Sequence, residues 1–423
     1  MIAPDGIQIL GGSHDDLIII DSNGGTANDG GTVDNIQNAF TILGSSGSDS
    51  LILDDSGDTT GDTIAITTAT TPVPAGAGSI TGVGLADFDY TTLENITLTT
   101  GTAADDITVT PSTDTSINVV GGDPAMSPGD TLTYLTPVGE NASLSPDGAD
   151  GGTISATGGY QSVTFDEIES LTLADNPVLN LVGTSGHDTL IITATNSNSG
   201  TYQLNGGPIV SFANITDFTF DGLASDDRLV INNPTGGVFD PVNGIIFNGG
   251  DGNETNGDSL EILGGVTERI DHEFVNDRDG SIYFDSEMTA TLVYTGLEPI
   301  IDTIEAEVRI FQYSDSAETV TVTDAGSGLT TIDSTAGEMV TFIAPTEAFA
   351  IFTGDGDDTV NIDSLAADYG AELVIYGEGG ANDTLNVNSA LSIGESHRIV
   401  FAVEAVNLNG GSITSGGSQS YSG

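Results

Sequence analysis

The 423-residue chain has no cysteine, no tryptophan and no lysine, and its only strong cations are Arg228, Arg269, Arg278, Arg309 and Arg398. Each absence removes a class of function. Without cysteine there are no disulfides and no thiolate zinc or redox sites. Without lysine there is no Schiff base, no phosphate-binding P-loop and no Lys–Asn isopeptide crosslink. Five scattered arginines cannot replace the counterions of a nucleic acid, nor form a polybasic membrane patch, so neither partner is expected. No apolar run approaches the ~20 residues of a membrane span. The N-terminus, MIAPDGIQIL, lacks the basic and apolar regions of a secretory signal, and the chain reads as a processed product or a segment of something longer.

What is abundant is acid. Sixty-three Asp and Glu give a formal net charge of −58, and self-repulsion on that scale opposes a compact state unless cations or salt offset it. Acidity with few aromatics also fits disorder, but 37% of the residues are hydrophobic, and they fall in short alternating runs. Asp outnumbers Glu 44 to 19. General salt adaptation has no strong reason for that bias, whereas Gly-rich turns do, because the short Asp side chain caps turns and ligates calcium.

The acids recur in a pattern: a Gly/Ser/Asp-rich turn, then acid-x-apolar-x-apolar. It appears at Asp15, Asp49, Asp62, Asp105, Asp130, Asp188, Asp227, Asp258, Glu318, Asp358 and Asp383. A second element precedes many of these turns, an aromatic or apolar residue followed by an alternating strand, often with Glu, as in FDYTTLENITL (88–98), VTFDEIESLTL (163–173) and VFAVEAVNLN (400–409). Together they define about seven units, starting near residues 15, 49, 105, 188, 227, 318 and 358. The elementary step is one turn of chain, lengthened in places by insertions.

Period-2 alternation rich in Val, Ile, Thr and Phe predicts strands, and Gly, Asn, Asp and Pro clusters predict turns. The expected fold is all-β: a β-solenoid of stacked coils, with a string of β-sandwich domains as the alternative. Phe40, Phe88, Phe165, Phe218, Phe349 and Phe401 are expected to stack as an internal ladder. A hairpin is expected over 275–287, turning at Asp279-Gly280. The regions read as 1–104, 105–226, a long unit 227–317 holding the hairpin, 318–411, and a flexible Gly/Ser tail over 412–423.

GSSGSDSLI, GTSGHDTLI and TGDGDDTVN resemble the calcium-binding nonapeptide of RTX proteins, with matches at Gly44, Gly47, Asp49 and Leu51, at Gly183, Gly186, Asp188 and Leu190, and at Gly356, Asp358 and Val360. More broadly, the texture is similar to that of large secreted bacterial repeat proteins: adhesins, surface-layer proteins and matrix components. The resemblance implies calcium as cofactor and an extracellular, cell-surface setting. The RTX nonapeptides are tandem; here they lie tens of residues apart, so a full β-roll and its calcium stoichiometry do not carry over.

Calcium takes six to eight hard oxygen ligands. The densest candidate is TGDGDDTVNID, with Asp355, Asp357, Asp358, Asn361 and Asp363. NGGDGNETNGD follows, with Asp251, Asn253 and Asp258. Weaker candidates are Asp15 with Asp16, Asp105 with Asp106, Asp226 with Asp227, and the single corner acids Asp49 and Asp188. None is an EF-hand, because the position of its final Glu, counted from Asp355, is Ala366. The competing reading is that these acids cap turns through backbone hydrogen bonds with no metal. Arg228 is expected to pair with the adjacent Asp226–Asp227. The four histidines form no metal-spaced pair.

The pattern points to a non-catalytic extracellular structural protein, self-assembling head-to-tail as the subunit of a filament, sheath or surface layer. The alternative is the stalk or binding segment of an adhesin that meets cell-surface glycan or another matrix protein. Polysaccharide lyase or glycosidase activity is disfavoured, since the carboxylates repeat whereas an active site needs one unique constellation.

Overall fold

A computed structural model describes residues 7–23, 28–68, 76–122, 129–250, 257–285, 291–394 and 396–423. All regular structure among them is β, in two compact units: residues 1–179 with 201–215, and residues 180–200 with 216–423.

Within unit one, strands from successive coils pair in parallel and in register. One column runs Leu17–Ile20, Ser50–Asp54, Asn95–Thr99, Ser116–Val120 and Val163–Asp166. A second runs Thr63–Thr68, Asp106–Val109, Thr131–Leu135, Ser170–Ala174 and Ile209–Phe212. A shorter third joins Ile7–Gly12, Phe40–Ser45 and Phe88–Thr91. Unit two is built the same way. One of its columns runs Val266–Phe274, Glu305–Gln312, Ala348–Phe352, Glu372–Tyr376, Ile399–Ala402 and Gln419–Ser422. Another joins Thr319–Gly326, Thr359–Ile362, Thr384–Val387 and Ala405–Leu408.

This is the solenoid. Parallel pairing of equivalent strands one coil apart is foreign to a sandwich, whose sheets are antiparallel. Period 2 decides what fills the core, because alternate side chains on every coil point inward. Leu51, Ile96, Ile117 and Val163 therefore fall in register, as do Leu53, Leu98, Val119 and Phe165, and all eight are buried. Each contributes about 1.5–3 kcal/mol by leaving water. Long coils carry antiparallel excursions, among them the expected hairpin, where Val266–Phe274 and Gly280–Phe284 pair around the turn 275–279.

Three expectations change. Of the six phenylalanines expected to stack, Phe40 and Phe88 do, with ring centroids 5.5 Å apart. Phe165, Phe218 and Phe349 lie in different columns, Phe401 shares the column of Phe349 but stands level with Ile351, and the larger aromatic cluster gathers Phe274, Phe311 and Phe342 around Phe349. The segment expected to be a flexible tail holds the strands Ile413–Ser415 and Gln419–Ser422, which pair in parallel with Leu391–Ile393 and Ile399–Ala402. The edge of the preceding coil templates even a Gly/Ser-rich strand. Arg228 pairs with Glu261 at 2.8 Å rather than with Asp226–Asp227, because Arg228 lies beside Ser259 one coil away, whereas chain neighbours in extended backbone diverge.

Candidate metal centre and the carboxylate corners

Register brings the repeated acids into vertical contact. At each corner a carboxylate oxygen accepts the backbone N–H of the equivalent acidic residue one coil earlier. Asp16 N–H donates to Asp49 at 2.9 Å, and Asp49 N–H to Glu94 at 2.7 Å. Asp62 donates to Asp105, Asp105 to Asp130 and Asp130 to Glu169, at 2.7, 2.7 and 2.6 Å. In unit two, Asp188 donates to Asp227 and Asp227 to Asp258, at 2.7 and 2.6 Å. Glu318 donates to Asp358, Asp358 to Asp383 and Asp383 to Glu404, at 2.8, 2.9 and 2.9 Å. The step along the chain varies from 21 to 45 residues, yet the corner bond is the same.

Glu94, Glu169 and Glu404 are therefore corner acids that the sequence reading assigned to a separate element. The signal was present: ENITL, ESLTL and EAVNL each read acid-x-apolar-x-apolar. The longer Glu side chain reaches the same N–H from a shorter turn. Register also selects Asp16, not Asp15, as the first corner acid; Asp15 instead accepts the Ser48 N–H at 2.8 Å.

The second oxygen explains the preceding residue. Five positions before Asp49 and Asp188 stand Gly44 and Gly183, and a Cβ there would lie 2.6 and 2.5 Å from the respective Asp Oδ2. At these two corners glycine lets the backbone close over the carboxylate. Where the equivalent residue is threonine, as at Thr100 and Thr353, its hydroxyl donates to a backbone carbonyl of the next coil, Gly121 at 2.5 Å or Tyr376 at 3.5 Å. The Oδ2 atoms of Asp49, Asp105, Asp130, Asp227 and Asp358 are buried without a hydrogen-bond partner. Burial, aided by neighbouring carboxylates, pushes Asp130 and Asp227 up to about 7.

A different kind of cluster lies in unit one. Asp34, Asp55, Asp58 and Asp62 each place one carboxylate oxygen within 4.8 Å of the other three. Two oxygens that share an ion at the calcium distance of about 2.4 Å lie at most about 4.8 Å apart, so the group has the dimensions of a metal site. The sequence DDSGDTTGD supplies three of the four acids as the chain leaves the strand Ser50–Asp54 and turns into Thr63–Thr68. The preceding coil supplies Asp34. Val33 N–H donates to Asp55 Oδ1 at 2.8 Å, and Gly57 N–H to Gly31 O at 2.8 Å, which locks the two segments together. Asp58 Oδ1 accepts the Thr59 and Thr60 N–H groups at 2.6 and 3.1 Å. Burial first, then mutual repulsion, raises the pKa of Asp34, pushes Asp55 up to about 7 and pushes Asp62 up to about 6. A second group, Asp21, Asp29 and Asp54, also brings one carboxylate oxygen from each residue within 4.8 Å of the others. No lysine or arginine is present anywhere in unit one, since all five arginines belong to unit two. These clusters can hold a metal ion. The four-in-nine density of Asp54, Asp55, Asp58 and Asp62 was visible in the sequence; Asp34 was not, because only coil stacking places it there.

The residues singled out from sequence go to several places. Asp188, Asp227, Asp258 and Asp358 join the corner ladders, as do Asp16 and Asp49. Asp355 donates its N–H to Asp315. Asp357 accepts from the Asn382 side chain and from the Ala381 and Asn382 N–H groups, which together hold its pKa low. The Asp226 carbonyl lies 3.1 Å from His187 Nδ1. Asp251 and Asn253 lie outside the described residues. Asn361 and Asp363 head two amide ladders on successive coils: Asn407 donates to Asn386 and Asn386 to Asn361, each at 2.9 Å, while Asn409 donates to Asn388 at 2.9 Å and Asn388 to Asp363 at 2.7 Å. Asn386→Ala removes two bonds of one ladder and is expected to cost about 1–2 kcal/mol, read as a lower urea midpoint.

In comparisons with known proteins, no family model and no curated protein matches the chain.

Proposed function

We propose that this chain is an extracellular structural solenoid, non-catalytic, braced by calcium and built to associate head-to-tail into a filament, sheath or surface layer. The observation that carries the calcium reading is the cluster Asp34, Asp55, Asp58 and Asp62 in a unit without a single strong cation. Hard carboxylate oxygens at that spacing suit calcium over softer-ligand metals. A structural role is supported by the corners, where the same acid makes the same backbone bond on coil after coil. Each arginine is ion-paired with a carboxylate, which leaves the basic side chains engaged rather than free to grip an acidic sugar. Self-association is supported by exposed apolar side chains on the first and last described coils: Leu10 and Leu17 on the first, Leu408 and Tyr421 on the last two.

The test compares the full chain in chelator and in 1 mM calcium. For a dissociation constant of about 30 μM, calcium stabilises unit one by about 2 kcal/mol, which raises its melting temperature by about 4–8 °C. Asp55→Asn/Asp58→Asn is expected to abolish that gain. Equal melting temperatures with and without calcium remove the calcium brace from this account. A monodisperse monomer at high concentration in calcium removes self-assembly, and electron microscopy then separates lattices and fibres from isolated stalks.

A further inference from the structure

Unit two contains a cavity of about 420 Å³ lined in part by Asp277, Glu298, Pro299, Asp333, Glu338 and Met339. Its centre is Glu338. The strand Gly337–Ile343 alternates, and its next inward positions are Val340 and Phe342, both fully buried. Glu338 occupies the same inward face, is 1% exposed, and its Oε1 has no hydrogen-bond partner. The neighbouring antiparallel strand slips register between Ile332 and Ser334, an irregularity of the kind that re-aims side chains, and Asp333 lies within that slip. Glu298 comes from the adjacent coil, where Ile300 pairs with Val340. Asp277 comes from the hairpin turn, and its neighbour Arg278 is bonded to Glu298 at 3.2 Å. A buried carboxyl oxygen with no partner in a core register is costly unless a ligand completes it.

That ligand must be a cation, since the titratable side chains lining the cavity are carboxylates. Its size follows from two observations. The cavity is far larger than the roughly 30 Å³ share of one water. Among the described residues, the groups of three or more acids close enough to surround one ion lie in unit one, so no three carboxylates here close on a single small ion. We propose that this cavity binds an alkylammonium group, with Glu338 as the buried acceptor and Asp333, Glu298 and Asp277 arranged around it. Such a group comes either from a free diamine or from a lysine side chain of another protein. A second copy of this chain cannot supply it, because the chain has no lysine.

Burial, and then the charges of Glu298, Asp277 and Asp279 against the opposing charge of Arg278, push Glu338 up to about 9. The carboxyl is protonated in the empty cavity at neutral pH and must release its proton when the cation binds. Affinity therefore rises with pH below that value, about tenfold per unit.

The experiment is calorimetric titration of the full chain in 0.15 M NaCl with 1,4-diaminobutane and, separately, with Nα-acetyl-lysine amide. The expected result is one saturable site, about tenfold tighter at pH 8 than at pH 7. Glu338→Gln weakens it at least tenfold, and Asp333→Asn weakens it several-fold. The amide replaces a neutral carboxyl of the same shape, so the fold is retained; Asp333 is exposed and gives an independent variant. Preference for the diamine identifies a free polyamine as ligand, and preference for the lysine amide identifies a protein side chain. Weak unsaturable binding that Glu338→Gln leaves unchanged is diffuse counterion association and overturns the proposal. One-for-one displacement by calcium at lower concentration makes this a metal site and overturns it equally.

Discussion

Arg309→Ala is expected to destabilise unit two by about 3–5 kcal/mol, the usual consequence of stripping one partner from a buried ion pair. Arg309, Asp302 and His272 are all fully buried. The guanidinium donates to Asp302 Oδ2 at 2.5 Å and to Oδ1 at 3.3 Å, and also to the Ile304 carbonyl at 2.7 Å. Asp302 Oδ1 accepts the Ile304 N–H at 3.0 Å, and His272 Nε2 lies 3.1 Å from Oδ2. The cation also sits 5.2 Å from the centre of the Phe342 ring, while the His272 ring stacks on Phe311 at 5.0 Å. Burial alone would raise the Asp302 pKa, but the Arg309 charge and the hydrogen bonds from His272 and Arg309 outweigh it and hold the carboxyl well below the usual range. Burial drives the His272 pKa down, so the network carries one positive and one negative charge. Removing Arg309 leaves a carboxylate with no countercharge in the core. The double variant Arg309→Met/Asp302→Leu removes both charges and is expected to lie within about 1–2 kcal/mol of the parent. Urea unfolding followed by far-UV circular dichroism measures both. An Arg309→Ala midpoint equal to the parent's refutes the assignment of this pair as a structural charge in the core.

In the absence of divalent ions, unit one is expected to become more stable as the pH falls from 8 to 4.5, opposite to the acid lability of most proteins. Asp55 and Asp130 are almost wholly buried, and each is pushed from 3.8 up to about 7. A carboxyl whose folded pKa is raised favours folding when protonated. Its contribution is complete below the unfolded pKa near 4 and is lost as the pH rises through about 7. At about 1.36 kcal/mol per pKa unit, halved because buried charges respond as if in a medium of high effective dielectric, the two together give about 3 kcal/mol across this range. That corresponds to about 6–12 °C in melting temperature. Millimolar calcium is expected to flatten the profile, since a bound cation favours ionised Asp55. Asp130→Asn should remove part of the dependence even in chelator. A melting temperature that falls monotonically from pH 8 to pH 4.5 refutes the prediction.

Much of the architecture was legible residue by residue. SLIL, ITLT and INVV alternate, and each became a strand with its apolar side inward. Corner acids announced themselves because acid-x-apolar-x-apolar is a local pattern. What escaped depended on the distance between coils rather than along the chain. Asp15 and Asp16 are indistinguishable in GGSHDDLII, yet pairing of Leu17 with Ser50 puts Asp16 level with Asp49. Arg228 looked bound to its chain neighbours and in fact meets Glu261. Asp34 carries no local signature of a ligand; it joins Asp55 through the Val33 contact with the next coil.

From the sequence by itself came the strand content, the turn positions and the charge excess, because alternation, glycine and aspartate act within a few residues. Only the tertiary structure decided which acids stand above one another, which four cluster and which are buried. Coil steps of 21 to 45 residues are set by backbone pairing between coils, and no local pattern encodes that register.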